Sequence, residues 1–330
     1  MIFALAITGP TASGKTALSI GLARELGCEI ISCDSMQIYR GMDIGTAKAT
    51  AEEQSLAPHH LIDILDPRES YSAESYRADA LRVAAEITGR GRLPLFVGGT
   101  GLYIDTVGRC GADSPESDPV YREELMRSAC DEEGRRALWE RLNEVDPETA
   151  EKVHYNNVKR VIRALEIFDK TGRRKSELDR ESRERASDIS VGMITLDFHN
   201  RETLYARVDA RVDAMLGEGL LSEVESLLRG GFLTGATASA AIGYKELAEY
   251  LEGRCTLDAA VEEIKLASRR YAKRQLTWFR HEPEAYRIFV DDEEGKIKDG
   301  KTLLAEARAA AAYLIEKHSE RLKSNEGSRT

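Results

Sequence analysis

Apolar residues along this chain follow two rhythms. Short, nearly unbroken runs at Ile2–Ile7, Glu29–Ser32, Leu93–Val97 and Val191–Phe198 predict buried strands. Between them apolar positions recur at helical spacing, as with Leu18, Leu22 and Leu26 in the segment Ala17–Leu26. Strands alternating with helices predict the α/β class, a parallel sheet flanked by helices on both faces. Ligands of such sheets bind beyond the carboxyl ends of the strands. The first strand runs into Gly9, the second closes on Cys33-Asp34-Ser35, and the third closes on Gly98-Gly99-Thr100. Three strand ends are therefore expected to converge on one crevice.

The rhythm changes between residues 111 and 190. No strand pattern occurs there. Helices are predicted from Asp118-Pro119, from Asp146-Pro147, and over Asn156–Thr171 up to Gly172. This reads as a helical insertion domain, 111–190, in a core made of 1–110 and 191–318. Beyond the fourth strand, helices are predicted over Arg201–Arg229, Ser239–Leu251, Leu257–Arg280 and Thr302–His318. The polar tail 319–330 is expected to be disordered. The amino-terminal apolar run lacks a basic leader and a cleavage site, so it is read as a core strand and not a signal peptide. No apolar run is long enough to span a bilayer.

Composition sharpens this picture at two points. The net charge of −10 argues against general polyanion binding, but the charge is uneven. Residues 158–175 hold Lys159, Arg160, Arg163, Lys170, Arg173, Arg174 and Lys175 against Glu166 and Asp169. Residues 269–281 hold Arg269, Arg270, Lys273, Arg274 and Arg280 with no acid. Two basic patches on an acidic protein suit a polyanion that touches part of the surface. The five cysteines, Cys28, Cys33, Cys110, Cys130 and Cys255, form no Cys-x-x-Cys pair, which suits a reducing, cytoplasmic setting and disfavours a zinc site. His59 and His60, in a predicted loop, have no partner at ligand spacing.

The chemistry begins at Gly9, Pro10, Thr11, Ala12, Ser13, Gly14, Lys15 and Thr16, a complete phosphate-binding loop between a strand and a helix. Successive N–H groups and the helix amino terminus cradle a phosphate there. Lys15 can reach the terminal phosphate, and Thr16 can ligate Mg²⁺. A P-loop hydrolase normally adds an acid at the end of a second strand. Here the strand Leu93–Val97 ends in Gly-Gly-Thr. Asp34, at the neighbouring strand end, is read as a general base or an acceptor-orienting group; capping a following helix is the plainer alternative. Thr100 can offer its hydroxyl to the crevice, or sit in a plain turn. Arg207 and Arg211, four apart on one helix face, can neutralise a diphosphate, or pair with Asp209 and Asp213. Trp278 and Phe279 can stack on bases, or anchor a core.

Several separated blocks resemble one family, the bacterial tRNA dimethylallyltransferases, also called tRNA isopentenyltransferases. They are Gly-Pro-Thr-Ala-Ser-Gly-Lys-Thr (9–16), Asp-Ser-Met-Gln-Ile-Tyr (34–39), Gly-Met-Asp-Ile-Gly-Thr-Ala-Lys (41–48), Pro-His-His-Leu-Ile-Asp (58–63), Val-Gly-Gly-Thr-Gly-Leu-Tyr (97–103), Ile-Gly-Tyr-Lys-Glu (242–246) and Ala-Lys-Arg-Gln-Leu-Thr-Trp-Phe-Arg (272–280). The resemblance implies a P-loop NTPase-like sheet. It also implies transfer of a dimethylallyl group from dimethylallyl diphosphate to N6 of the adenine just 3′ of the tRNA anticodon. Lys15 and Thr16 would hold the diphosphate and Mg²⁺. Asp34 would take the amine proton, Thr100 would stand near the reacting carbon, and Arg211, with Arg207, would bind the diphosphate. Ser35, Met36 and Gln37 would hold the target base. The tRNA surface would further include Arg122, Val158, Lys159, Arg160, Arg163, Gly243, Tyr244, Lys245, Lys273, Arg274 and Arg280. The insertion would clamp the anticodon stem. The chain departs from some relatives at Ala240, where they carry arginine.

The expected protein is a cytoplasmic monomer with tRNA and dimethylallyl diphosphate as partners and no membrane. A small-molecule or nucleoside kinase would explain residues 9–16 and Asp34, but not the insertion or the 269–281 run. A prenyltransferase acting on free AMP would share the core and need no RNA clamp. The Lys15, Thr16 and Asp34 set speaks against a non-catalytic RNA-binding module.

Overall fold

The computed structural model describes residues 1–108, 115, 117–185, 187–232 and 237–327. Two compact units emerge: residues 1–108 with 188–330, and residues 109–187, against the expected insertion of 111–190. Cys110 and the start of the insertion lie outside the described residues.

The first unit opens with strand β1 (Ile2–Thr8), helix α1 (Lys15–Leu26), β2 (Cys28–Ser32), α2 (Ala51–Leu56), β3 (His59–His60), α3 (Ala73–Gly89), β4 (Leu93–Gly98) and α4 (Gly101–Gly108). The second unit holds α5 (Pro119–Ser128), α6 (Glu132–Val145), α7 (Pro147–Lys152), α8 (Val158–Thr171) and α9 (Lys175–Glu184). The first unit resumes with β5 (Ile189–Asp197), α10 (Arg201–Gly217), α11 (Leu220–Arg229), a 3₁₀ turn at Ala238–Ala240, α12 (Tyr244–Leu251), α13 (Leu257–Arg280), β6 (Tyr286–Phe289) and α14 (Gly300–Gly327).

The strands form one six-stranded parallel sheet in the order β3-β2-β4-β1-β5-β6. Alternation of side chains across β1 explains its two faces. Leu5 and Ile7 enter one core with Leu18 and Leu22 of α1, Leu196 of β5 and Ala311 of α14. Ala4 and Ala6 enter the opposite core with Phe96, Tyr76 and Ala80 of α3 and Tyr103 of α4. Burial on both faces is why these strands read as continuous apolar runs. A third core packs α10 to α13 against the segment 36–44, through Val212, Leu220, Tyr244, Ile264, Tyr39 and Met42.

Four sequence expectations change. His59–His60 pairs with Ile30 and Ile31 as a strand where a loop was expected; two residues are too short to show a period. Tyr286–Phe289 forms edge strand β6 between two predicted helices, where no strand was expected, because pairing with Ile194–Asp197 decides its conformation. The helix expected over 201–229 divides at Gly219, which adopts φ +105° and starts a new helix. The tail expected to be disordered from 319 continues α14 as far as Gly327. Arg321 there bridges to Glu284 across the fold, which ties down a polar stretch that composition alone marks as free.

The second unit has its own core of Leu138, Leu142, Ala150, Val161, Ile162 and Leu165. Beside it the fully buried Glu166 carboxylate accepts from the Asp118 amide and from the guanidinium groups of Arg122 and Arg163. Asp146 caps α7 through Thr149 and also accepts from Ser176 at the start of α9, joining two helices through one carboxylate.

Candidate functional site

The loop between β1 and α1 bends at Gly14, with φ +87°, and delivers Lys15 to the first turn of α1, which carries no acid. Lys15 Nζ donates to the carbonyls of Gly9, at 3.1 Å, and Pro10, at 2.7 Å. Desolvation, with the nearby Arg211 charge, holds the Lys15 pKa down to about 7 against the pull of Asp34. Arg207 Nε donates to Ala12 O at 2.9 Å, so this arginine braces the loop. Arg211 lines the cavity; burial lowers its pKa, opposed by the charges of Asp34 and Glu218. The acids weighed as partners for this pair are engaged elsewhere: Asp209 by Arg269 and Asp213 by Lys265, each at 2.7 Å. The Ser13 hydroxyl is buried in the same loop with no hydrogen-bond partner in the structure. An unpaired buried hydroxyl in an amide-rich, cation-lined loop suits an anion.

Opposite stands the end of β2. Asp34 Oδ1 accepts from the Met36 amide at 2.9 Å, which closes a turn; no helix follows, so helix capping is not its role here. Thr100 is joined to this strand end twice. Its amide donates to Cys33 O at 3.2 Å, and its hydroxyl accepts from the Ser35 amide at 3.1 Å. Gly98 permits this approach, because a Cβ there would stand 2.0 Å from Cys33 O.

Gln275 on α13 joins the two sides. Its Oε1 accepts from the Thr11 amide at 2.8 Å, and its Nε2 donates to Gly99 O at 2.9 Å. A Cβ at Gly99 would lie 2.0 Å from that Nε2. Sequence reading passed over Gln275, although an uncharged amide buried inside a basic run was the available signal. Tyr271, one helical turn earlier, was also passed over. It lines the cavity, and burial, with the Asp34 charge, raises its hydroxyl pKa.

One cavity of about 540 Å³ is lined by residues 11–17, 34–37, 45–47, 97–99, Arg211, Gly243, Tyr271, Arg274 and Gln275 among others, with Thr100 and Arg207 outside its lining. Val208, Val212, Met215 and Ile264 supply an apolar wall, and Ala240, the position of the departure, also lines it. Among the described residues no cluster of three or more His, Cys, Asp or Glu side chains could hold a metal. His59 lines the cavity but bonds to Ala57 O, and His60 bonds to Glu29.

The residues expected at a tRNA surface divide sharply. Lys245, Lys273 and Arg274 are exposed, and Arg274 lies over the Tyr271 ring, 5.6 Å from its centroid. Arg280 is also exposed, but its guanidinium is paired with the buried Asp197 at 2.8 and 3.0 Å. Tyr244 lines the cavity. Its ring is fully buried and its hydroxyl donates to Glu223. The Gln37 amide group is spent on Thr46 O and Ala47 O, and its carbonyl on Ser32. Phe279 is core, whereas Trp278 is exposed beside Gly101. In the second unit Arg122 and Arg163 are committed to Glu166, Val158 packs on the local core, and Lys159 and Arg160 are exposed.

The chain matches the family model for IPP transferase over residues 37–282 and that for isopentenyl transferase over residues 2–63. A P-loop-like sheet matched in this way defines a transferase of isopentenyl groups. Relatives named tRNA dimethylallyltransferase, from Bacillus cereus (strain AH187) and Bacillus anthracis, are 49% identical over 290 residues, covering 87% of this chain and 90% and 91% of theirs. The solved tRNA isopentenylpyrophosphate transferase of Bacillus halodurans aligns with TM-score 0.72 and 42% identity over 98% of this chain and 100% of that one. A eukaryotic dimethylallyltransferase described as acting on tRNA aligns with TM-score 0.73 and 30% identity over 88% of this chain and 74% of its own. The chain belongs to the tRNA dimethylallyltransferase family and is an enzyme.

Proposed function

We propose that this enzyme moves a dimethylallyl group from dimethylallyl diphosphate to N6 of the adenine just 3′ of the tRNA anticodon. The observation that carries the reading is a single cavity with an anion cradle at one wall and an acid at the other. Lys15, Arg211 and the loop amides form the first wall, and Asp34 with Ser35 the second; Thr100 bonds to the Ser35 amide from behind that wall.

An exocyclic adenine amine is a weak nucleophile because its lone pair is delocalised into the ring. As N6 forms its bond to the allylic carbon, Asp34 accepts the amine proton. The bond from that carbon to the diphosphate oxygen breaks, and the electron pair leaves with the diphosphate. Lys15, Arg211, the Ser13 hydroxyl and the loop N–H groups receive the developing charge. Thr100, whose hydroxyl accepts from the Ser35 amide, would stand close behind the reacting centre. The apolar wall around Val208 and Val212 excludes water from an electrophilic carbon.

Mg²⁺ fits this donor set. Thr16 offers one hydroxyl, and Mg²⁺ commonly takes its remaining oxygens from substrate phosphates and water. When bound it would neutralise leaving-group charge. Lys159 and Arg160 of the insertion, with Lys245, Lys273 and Arg274, would meet the RNA backbone. The target base must leave its stack to reach Asp34. In this reading the enzyme works as a cytoplasmic monomer.

The deciding experiment supplies dimethylallyl diphosphate, labelled in the allyl group, with tRNA or with AMP. Label should enter tRNA as N6-dimethylallyladenosine. Label in AMP alone, or phosphate transfer from ATP, would overturn the reading.

A further inference from the structure

Residues 34–48 carry the groups assigned to the acceptor base, yet they are built of turns and irregular backbone. Such a segment has few ladder partners, so side chains from other elements must satisfy and place its backbone. Glu223 on α11 does this at one point. Its Oε2 accepts from the amides of Asp43, at 3.0 Å, and Ile44, at 2.8 Å, and its Oε1 accepts from Gly45 at 3.2 Å. Tyr244 donates its hydroxyl to the same Oε1 at 2.6 Å. Three successive amides converging on one carboxylate form an anion nest, here filled from within the chain.

The Tyr244 ring presses on the same spot, since a Cβ at Gly45 would stand 2.5 Å from it. Buried Lys48 holds the far side, donating to Tyr39 O and pairing with Asp43 and Asp63. Gln37 carries the connection inward. Its Nε2 donates to Thr46 O and Ala47 O, each at 3.3 Å, and its Oε1 accepts from Ser32 at 2.9 Å. A continuous path thus links α11, through residues 43–47 and Gln37, to the strand end that presents Asp34. Glu223 itself does not line the cavity, although its partner Tyr244 does. The phosphate loop is fixed separately, through Gln275 and Arg207.

We propose that Glu223, with Tyr244 as its partner, is a positioning residue for the acceptor base: it seats the 43–47 loop and, through Gln37, the 34–37 segment, touching neither substrate. This rests on the dimethylallyl-transfer reading above. Only a carboxylate satisfies the site. Both oxygens face N–H donors, so in either orientation a Gln amide would set its own NH₂ against at least one of them. The loop would have to move, and the acceptor side with it.

The test is steady-state transfer by the full chain, with tRNA and dimethylallyl diphosphate varied in turn, and thermal unfolding alongside. Glu223→Gln should lower kcat/KM for tRNA by about 10- to 100-fold. The KM for dimethylallyl diphosphate should stay within about twofold, because uniform binding on that side is untouched. Tyr244→Phe keeps the packed ring and should shift the tRNA parameter the same way by about three- to tenfold. The double variant should be no worse than Glu223→Gln alone, as expected of groups in one network. Tyr244→Phe carries the test by itself if Glu223→Gln does not fold. Unchanged tRNA parameters in the variants, or a KM for dimethylallyl diphosphate that moves in step with them, would overturn the proposal. If the unaltered enzyme transfers no label to tRNA, the transfer reading itself falls and takes this inference with it.

Discussion

The cations of the phosphate-loop wall and those of the insertion do opposite work. Lys15 and Arg207 are bonded to backbone carbonyls, and the acids near Arg207 and Arg211 are bound by other cations. Positive charge is thereby kept uncompensated beside a cavity, which is unfavourable for folding and favourable for an anionic leaving group. In the insertion Arg122 and Arg163 close on the buried Glu166, and their charge is consumed in holding helices together. A basic run in a sequence therefore says little until each charge is traced to its partner.

Lys15→Met should separate the two regions most clearly. Loss of a charge aimed at the leaving group should lower kcat by about 10²- to 10³-fold. The midpoint of thermal unfolding should hold or rise, because an unpaired, desolvated ammonium is removed. A fall in both would show that Lys15 is structural like its counterparts in the insertion.

Glu166→Ala should do the reverse. It strands the Asp118 amide and two guanidinium groups, at a cost of about 1–3 kcal/mol to the insertion. Trp139, whose indole donates to Ala150 O and Val153 O, would report the loss by fluorescence in a Trp278→Phe background. With Trp278 left in place, kcat at saturating tRNA should be retained.

Acidification should weaken the same region. Burial pushes Glu166 up, but Arg122, the Asp118 amide and Arg163 outweigh it and leave its pKa below the ordinary 4.5. Asp146 is likewise depressed below 3.8, as Thr149 and Ser176 outweigh burial. Carboxylates depressed in the folded state stabilise above their unfolded pKa and lose that contribution as pH falls through the folded one. Denaturant midpoints read from Trp139 should therefore decline below about pH 4.5 and be flat from there to neutrality.

The smallest effect is expected from Lys159→Ala with Arg160→Ala. Among the described residues no acid pairs with these exposed cations, so the fold should not respond. Affinity for tRNA should weaken, and the slope of log K against log salt should flatten by about one to two. An unchanged slope would remove the insertion from the RNA surface.

Much of this was legible in the order of residues. The strands around Ile7, Ile31 and Phe96 are apolar on both faces, so they announced a parallel sheet. The phosphate loop, Asp34 and Thr100 follow strand ends, where α/β sheets bind ligands. Less legible were β3 and β6, whose conformation is imposed by pairing with β2 and β5. The fates of Arg280 and Tyr244 were hidden because Asp197 and Glu223 lie distant in sequence.

The sequence alone determined which chemistry the chain can perform, since a glycine-rich turn before a helix and an acid after a strand act through local geometry. Tertiary structure decided which charges stay free to perform it. Pairing depends on distance in space, and residues as far apart as Glu223 and Asp43, or Gln275 and Thr11, meet only once the sheet and its helices have packed.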